Sequence, residues 1–405
     1  MSSPGEPALL YRLNQSAILD LIRNQGPISR VEVAKQLRLS AATVTRIVQK
    51  LLDENLVVEV AQGSSITGRK PILLQLNYKA SFIIGVDQGG TKIAGAVADL
   101  EGELLARQRA LSSEAGNSKA SNLDRLLTVI EELLSASRAA IGETQSRIRG
   151  IGIGVAGVVR GDGTVVWAPA LGWRDLPLEQ IVRERFGIPT FVENDVNLAA
   201  LGELWFGAGK GLRNLICVSI GTGIGAALIV DGRLYRGRTN SAGEIGYVIT
   251  DRSQLGRTFD GFGPLESLAA ASAVAERARA LLADGRPSQM RSLVHGDLSL
   301  LTAEEVCQAA RQSDQVAQQI VSDTADALAI GLSNAINLFD PDIVILNGGL
   351  LRSSDLFIDR IHGLLRGTVP DLPPIVVSPL GEDAALKGAI AYAIHATDEF
   401  VFVTE

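Results

Sequence analysis

Apolar positions at helical spacing occupy residues 9–60 and predict three helices with a sharp turn between the last two. Leu10, Leu13, Ile18, Leu21 and Ile22 give the first helix an apolar face. Ser29-Arg30-Val31-Glu32 has the form of a capping box, in which the hydroxyl takes the N3 amide and the carboxylate returns to the cap. It starts a short helix through Leu37. Ser40 then caps a third helix to about Asn55, where Val44, Ile47, Val48 and Leu51 form the buried stripe. The opposite face carries Ala42, Arg46, Gln49 and Asp53, with Thr43, Thr45 and Lys50 on its flanks. Next come the strand signal 57–60, a polar tip at 62–67, Gly68-Arg69-Lys70-Pro71 and the strand Ile72–Leu76, the pattern of a wing.

After Asn77 strand and helix signals alternate, with glycine between them. Phe82–Val86 leads into Asp87-Gln88-Gly89-Gly90-Thr91-Lys92, and Leu215–Ile220 leads into Gly221-Thr222-Gly223. Each loop is followed by a strand, a Gly turn (Glu101-Gly102, Asp231-Gly232) and another strand, which predicts a duplicated hairpin unit facing itself across a cleft. Glycines there let backbone N–H groups approach an anion, and Thr91 and Thr222 add hydroxyl donors. Taken singly, either loop reads as a plain hairpin turn; two copies in matched settings favour the anion-cradling reading instead. Helices are expected over 123–140, 179–186, 264–279, 303–310, 317–339, 356–365 and 384–395, and buried strands over 151–159, 189–192, 341–346 and 375–378. That alternation implies parallel sheets covered by helices.

Length and charge refine the picture. A chain of 405 residues needs two or three domains. The net charge of −7 excludes a protein that coats nucleic acid along its whole surface. Residues 1–77 nevertheless hold nine Lys/Arg against six Asp/Glu, a local balance of +3. A helix pair whose second member shows small and basic residues suits the major groove. Ser40, Ala42, Thr43, Thr45, Arg46 and Lys50 are the groove candidates, with Arg69 and Lys70 near phosphate or in the minor groove. A three-helix interaction domain that never touches DNA is the alternative. Two scattered cysteines, Cys217 and Cys307, suggest no disulfide framework and fit a reducing cytoplasm. No run reaches the length of a membrane span and no signal pattern opens the chain, so a cytoplasmic protein without membrane contact is expected.

Glu193-Asn194-Asp195 follows the apolar strand end Phe191-Val192, where open α/β sheets bind ligands. Asp195 suits a sugar hydroxyl, as a hydrogen-bond acceptor or as the base that deprotonates it for phosphoryl transfer. An Asx cap on the following helix is the other reading. Glu244 and Glu266 lie on glycine-rich segments and suit vicinal hydroxyls, or else are helix N-terminal charges. Gly207-Ala208-Gly209-Lys210-Gly211 lacks the spacing and the following Ser/Thr of a P-loop and reads as a loop.

With these residues in place, the chain resembles the ROK family, sugar kinases and sugar-responsive repressors on the actin-like ATPase (ribonuclease H-like) α/β fold. The resemblance spans the chain to about Ile394. It implies two lobes, a first phosphate loop at Asp87, Gly89, Gly90, Thr91 and Lys92, and a second at Gly221, Thr222 and Gly223. It further implies adenosine-side glycines at Gly348 and Gly349, sugar contacts at Asn194, Asp195, Glu244 and Glu266, and Asp195 as base if the protein is a kinase. The N-terminal winged helix, an α+β helix-turn-helix domain, resembles the repressor branch. The expected domains are 1–77, then a first lobe 78–200 completed by 381–400, then a second lobe 201–380 with dimerisation helices.

Departures from the family pattern matter too. Where the family carries a histidine after Glu-Ile-Gly, this chain has Tyr247, whose hydroxyl is the expected replacement sugar contact. The downstream segment 257–264 has no cysteine, so no zinc and no other metal site is expected. Ala170 stands after Pro169 where family kinases often have Asn. The expectation is a sugar-responsive DNA-binding regulator, a repressor released by a sugar and acting on an operator as a homodimer or higher oligomer. It requires no cofactor. The alternative is an ATP- and magnesium-dependent sugar kinase fused to a DNA-binding domain.

Overall fold

The computed structural model describes residues 6–62, 72–112, 119–141, 147–259 and 262–397. The head consists of α1 (Glu6–Gln25), β1 (Ile28–Ser29), α2 (Arg30–Leu37), α3 (Ala41–Asp53), β2 (Val57–Gln62) and β3 (Ile72–Leu76). Its antiparallel sheet has the order β1-β3-β2. The capping box forms: Ser29 Oγ accepts from the Glu32 amide at 3.2 Å, and the Ser29 amide donates to Glu32 Oε2 at 3.0 Å. Arg38 ends α2 in the left-handed region (φ 53°), and Ser40 Oγ accepts from the Thr43 amide at 3.1 Å to start α3. Val44, Ile47, Val48 and Leu51 are all fully buried. The apolar face expected for α1 needs correction. Leu10 is 60% and Leu13 37% exposed, and Leu19 joins Ile18 and Ile22 in the core. Periodicity gives the side of a helix that is apolar, not how far its neighbours extend along it. The tip 63–71, with Arg69 and Lys70, lies outside the described residues.

The first lobe begins with the meander β4 (Phe82–Gln88), β5 (Lys92–Asp99) and β6 (Leu104–Leu111). Then follow α4 (Lys119–Ile141), β7 (Ile148–Val155), a small sheet of β8 (Val158–Val159), β9 (Val165–Ala168) and β10 (Trp173–Leu176), α5 (Leu178–Phe186) and β11 (Thr190–Asn194). After α6 (Asp195–Phe206) the second lobe repeats the plan with β12 (Leu215–Ile220), β13 (Ile224–Val230) and β14 (Arg233–Tyr235). Its helices are α7 (Glu266–Ala269), α8 (Ala271–Ala283), α9 (Met290–Leu293), α10 (Ala303–Arg311) and α11 (Gln315–Phe339). The chain closes through β15 (Ile343–Asn347), α12 (Ile358–Leu365), β16 (Ile375–Val377) and α13 (Ala384–Ala396).

The orders β11-β7-β4-β5-β6 and β14-β13-β12-β15-β16 are the same topology read from opposite edges. Both sheets are mixed: the expected hairpin units supply the antiparallel strands and the strand–helix alternation the parallel ones. Only Gly89-Gly90-Thr91 separates β4 from β5, and only Gly221-Thr222-Gly223 separates β12 from β13. Three residues cannot hold a crossover helix, so these strands must pair antiparallel. The helix expected over 264–279 is broken at Ala270, whose extended backbone (ψ 153°) separates α7 from α8.

The lobes meet through exchanged helices. Ala199 and Ala200 of α6 pack with Leu215, Cys217, Ala227 and Ile345 of the second sheet. Conversely, α13 arrives from the second lobe and lies on the first sheet. A Cβ on Gly152 would fall 2.0 Å from the Ala389 carbonyl oxygen, and one on Gly85 2.5 Å from Ile390 Cγ1. The two helices then cross backbone to backbone: a Cβ on Gly388 would meet the Leu198 carbonyl oxygen at 1.7 Å, and one on Gly202 the Ala384 oxygen at 2.3 Å. Gly388→Ala or Gly202→Ala is therefore expected to destabilise the protein by about 1–3 kcal/mol through overpacking. Gly363→Ala, on exposed α12 with nothing within 4 Å of its Cβ, is expected to stabilise by about 0.4–1 kcal/mol. Urea denaturation of the three variants checks both signs.

Candidate functional site

Sheet register creates the centre of the cleft. Asp87 on β4 pairs with Gly154 on β7, and Glu193 on β11 pairs with the same glycine from the other side. These are the carboxyl ends of parallel strands, where side chains from adjacent strands converge on one ligand. A Cβ on Gly154 would lie 3.6 Å from Asp195 Cα and 3.7 Å from Asp87 Oδ1, so glycine leaves room for both carboxylates. The Asx-cap reading of Asp195 is corrected, since Asn194 fills that role. Asn194 Oδ1 accepts from the Asn197 amide at 3.0 Å, while its Nδ2 donates to Gly157 O at 3.0 Å and to Asp195 Oδ1 at 3.2 Å. Asp195, one residue later, lines a cavity of about 770 Å³ together with Asp87.

Loss of solvent pushes the Asp87 carboxyl up to about 7, with the Asp195 charge adding to the effect. Loss of solvent also raises Asp195 to about 6, against the opposing pull of the Val196 amide. At neutral pH this pair holds part of a proton. Lys92, Arg109, Arg352, Ser219, Asn347, Gly348 and Gly349 also line the cavity. Of the predicted phosphate and adenosine residues, Asp87, Lys92, Gly348 and Gly349 are thus brought together with Asp195.

The remaining loop residues lie beside this cavity rather than on its wall. The Gly89 amide donates to Lys92 O at 2.9 Å and the Ser112 amide to Thr91 O at 3.0 Å, which closes the first loop. A Cβ on Gly90 would meet Ala170 Cβ at 2.8 Å, so Ala170 packs directly against that loop. In the second loop the Gly221 amide donates to Gly223 O at 2.9 Å, and Ser272 Oγ donates to Thr222 O at 2.6 Å.

Among the sugar candidates, Glu266 accepts the Ile224 amide on Oε1 and the Gly263 amide on Oε2, each at 2.8 Å. Its carboxylate braces the second loop. Glu244 is pushed up by loss of solvent, then by the Glu266 charge, which places the two carboxylates near each other. Tyr247 is half exposed. Sequence reasoning missed Arg109, Arg352, Glu382 and Arg236. Arg109 stands on the exposed rows of β6, and Arg107 and Arg109 both pair with Asp383, while Arg352 pairs with Glu382. Arg236, after β14, donates from Nε to Glu193 Oε2 at 2.8 Å and so ties the second lobe to the first. The alternation of β6 marked its arginines as exposed; nothing in the local sequence paired Arg236 with a strand 43 residues away.

The head presents a second surface. Ala42, Thr45, Arg46 and Lys50 form an exposed stripe along α3, and Ser40 and Thr43 share a hydroxyl–hydroxyl hydrogen bond of 2.8 Å at its start. Arg46 and Lys50 lie 5.2 and 5.4 Å from the Tyr11 ring centroid, so α1 orients both cations. Among the described residues no cluster of three or more His, Cys, Asp or Glu is grouped to hold a metal ion, and no helix is long and apolar enough to cross a membrane.

The unfolded chain releases the protons of Asp87 and Asp195 near pH 4, whereas the folded chain keeps them to about 7 and about 6. Raising the pH through that window therefore costs the ligand-free fold stability. Asp87→Asn removes the larger contribution. Its stability relative to the parent should grow between about pH 4 and 7 and level off above, by on the order of 1–3 kcal/mol. Thermal denaturation of both proteins across this range checks it.

Comparison with known proteins bears on both surfaces. The ROK family model matches residues 83–396, and the MarR family model matches residues 12–59. A xylose repressor of Caldicellulosiruptor bescii is 31% identical over 395 residues, covering 96% of this chain and 97% of that one. A crystal structure of a ROK family transcriptional regulator, a homolog of the E. coli MLC protein, superposes with a TM-score of 0.81 at 27% identity, covering 97% of this chain and 98% of that one. A ROK family glucokinase from Streptomyces griseus, in complex with glucose and AMPPNP, superposes with a TM-score of 0.65 at 32% identity, covering 77% of this chain and 99% of that one.

Proposed function

The chain belongs to the ROK family, and from that premise we propose that it is a sugar-responsive DNA-binding repressor. The observation that carries this reading is the exposed α3 stripe with Arg46 and Lys50 on a head whose core continues into the first lobe. In this reading α3 enters the major groove, Arg46 reads a base edge, and Ser40, Ala42, Thr43, Thr45 and Lys50 set contact and register. Arg69 and Lys70 on the wing reach backbone or minor groove. The operator has two half-sites and the protein binds it as a homodimer or higher oligomer, because one head reads one half-site.

The effector is a pentose or hexose, with D-xylose first in order because a relative bears the name xylose repressor. It binds between the lobes on the side of Asp195, Glu244 and Tyr247, with Asn194 and Glu266 holding that wall in shape. Sugar releases DNA only to the extent that it binds the two arrangements of the lobes with different affinity. Arg46→Ala should weaken binding to a cognate duplex by about 1–3 kcal/mol if it reads a base. Equal loss on random duplexes in fluorescence anisotropy would make Arg46 a phosphate contact instead.

A second reading, an ATP-dependent sugar kinase with a DNA-binding head, is favoured by the recessed Asp87–Asp195 pair. Two neighbouring buried carboxyls, each raised by loss of solvent, would be compensated as carboxylates by a divalent cation carrying a nucleotide phosphate, and Lys92, Gly348 and Gly349 line the same cavity. When bound, magnesium and ATP would supply the electrophilic phosphoryl group. Asp195 would then take the proton from the sugar hydroxyl. A coupled assay with ATP, magnesium and a panel of hexoses and pentoses separates the readings. Turnover abolished in Asp195→Asn would establish the kinase; no turnover with any sugar is the expected result for the repressor.

A further inference from the structure

We infer that Arg23 of α1, stacked on Trp205 of α6, is the contact through which the winged helix senses the relative position of the two lobes. This rests on the reading that lobe movement governs DNA binding. Three observations carry it. First, the head stands on the first lobe: Ile18, Leu19, Ile22, Leu74 and Leu76 share one apolar core with Ile83, Ala98, Leu100, Ile390 and Ile394. Second, Arg23 reaches past that footing to a helix that packs on the other lobe, and its guanidinium carbon lies 3.7 Å from the Trp205 ring centroid. Third, His395 of α13 meets the same indole with its ring plane at 90°. Trp205 and His395 are the penultimate residues of the two exchanged helices. Any rotation of one lobe on the other slides α6 over α13 and shifts Trp205 against His395.

The head, fixed to the first lobe, meets that shift at Arg23. Removal from solvent lowers the Arg23 pKa to about 10, with Asp20 opposing, so the guanidinium gives up hydration to make this contact. A desolvated cation over an aromatic face is attracted more strongly than an exposed one, and its displacement would expose the ring. Phe206, the next residue, is fixed from the other side. A Cβ on Gly102 would lie 2.7 Å from its ring, and Lys387 Nζ donates to Gly102 O at 2.8 Å. The end of α6 is thus gripped between the head and the first lobe, where a small slide has to change one of the two contacts.

The test uses the full chain, a duplex selected from a random pool by the parent protein, and D-xylose and D-glucose as probes. Arg23→Ala should still bind the duplex and still bind whichever sugar the parent binds. The sugar-induced fall in DNA affinity, about 5- to 150-fold for coupled sites, should shrink to within about twofold. Arg23→Lys, which keeps a cation over the ring, should retain part of it. Trp205→Leu removes the contact from the body side and should uncouple equally, which covers the case in which Arg23→Ala fails to fold. Full sugar response in both Arg23→Ala and Trp205→Leu overturns the inference.

Hydrogen exchange separates this from failure of the effector reading. Duplex binding should alter amide protection in residues 199–206 of the parent and leave it unchanged in Arg23→Ala. If neither sugar affects the parent but this Arg23-dependent change is present, the effector assignment fails and the coupling contact stands. If the parent shows no such change on binding the duplex, the contact carries no signal.

Discussion

The crossing of α6 and α13 is the constraint on which the rest of the molecule depends. Each helix leaves one lobe and packs on the sheet of the other, so the two must pass at backbone distance. Gly202 and Gly388 permit that passage, because a single methyl group at either would collide with a carbonyl oxygen. Gly85 and Gly152 do the same beneath α13.

The same crossing fixes the chemistry. Asp195 begins α6, so its carboxylate is aimed by the helix that forms the joint, and Asn194 as cap frees it from a purely local duty. Asp87 faces it from the first hairpin unit, and desolvation raises both. Such a pair is poorly compensated without a cation or a hydroxyl donor, which makes the cleft more stable when something binds there. Several polar groups near the cleft are already partnered within the protein. Glu266 holds two amides, Asn194 caps α6, and Glu193 receives Arg236 from across the cleft. A wall braced in that way holds its shape without a ligand.

The head is joined to the body by a continuous apolar core rather than by a tether. The face of α3 stays free because its stripe of Val44, Ile47, Val48 and Leu51 takes all of the packing, and Tyr11 steadies the cations on the far side. The exposed α3 stripe and the Asp87–Asp195 cavity thus belong to one packed unit.

By itself the sequence determined the local structures. The capping box at Ser29, the Ser40 cap, the buried stripe of α3 and the twin glycine hairpins were all legible, because each depends on residues within a few positions of one another. Only the tertiary structure decided that Leu10 and Leu13 are exposed and that Asn194 rather than Asp195 caps α6. The pairing of Glu193 with Arg236, the place of Arg109 and Arg352 on the cavity wall, and the meeting of Arg23 with Trp205 and His395 belong to the same class. Each depends on which distant surfaces come together, and helical or strand periodicity tells which side of an element is apolar without telling what covers it.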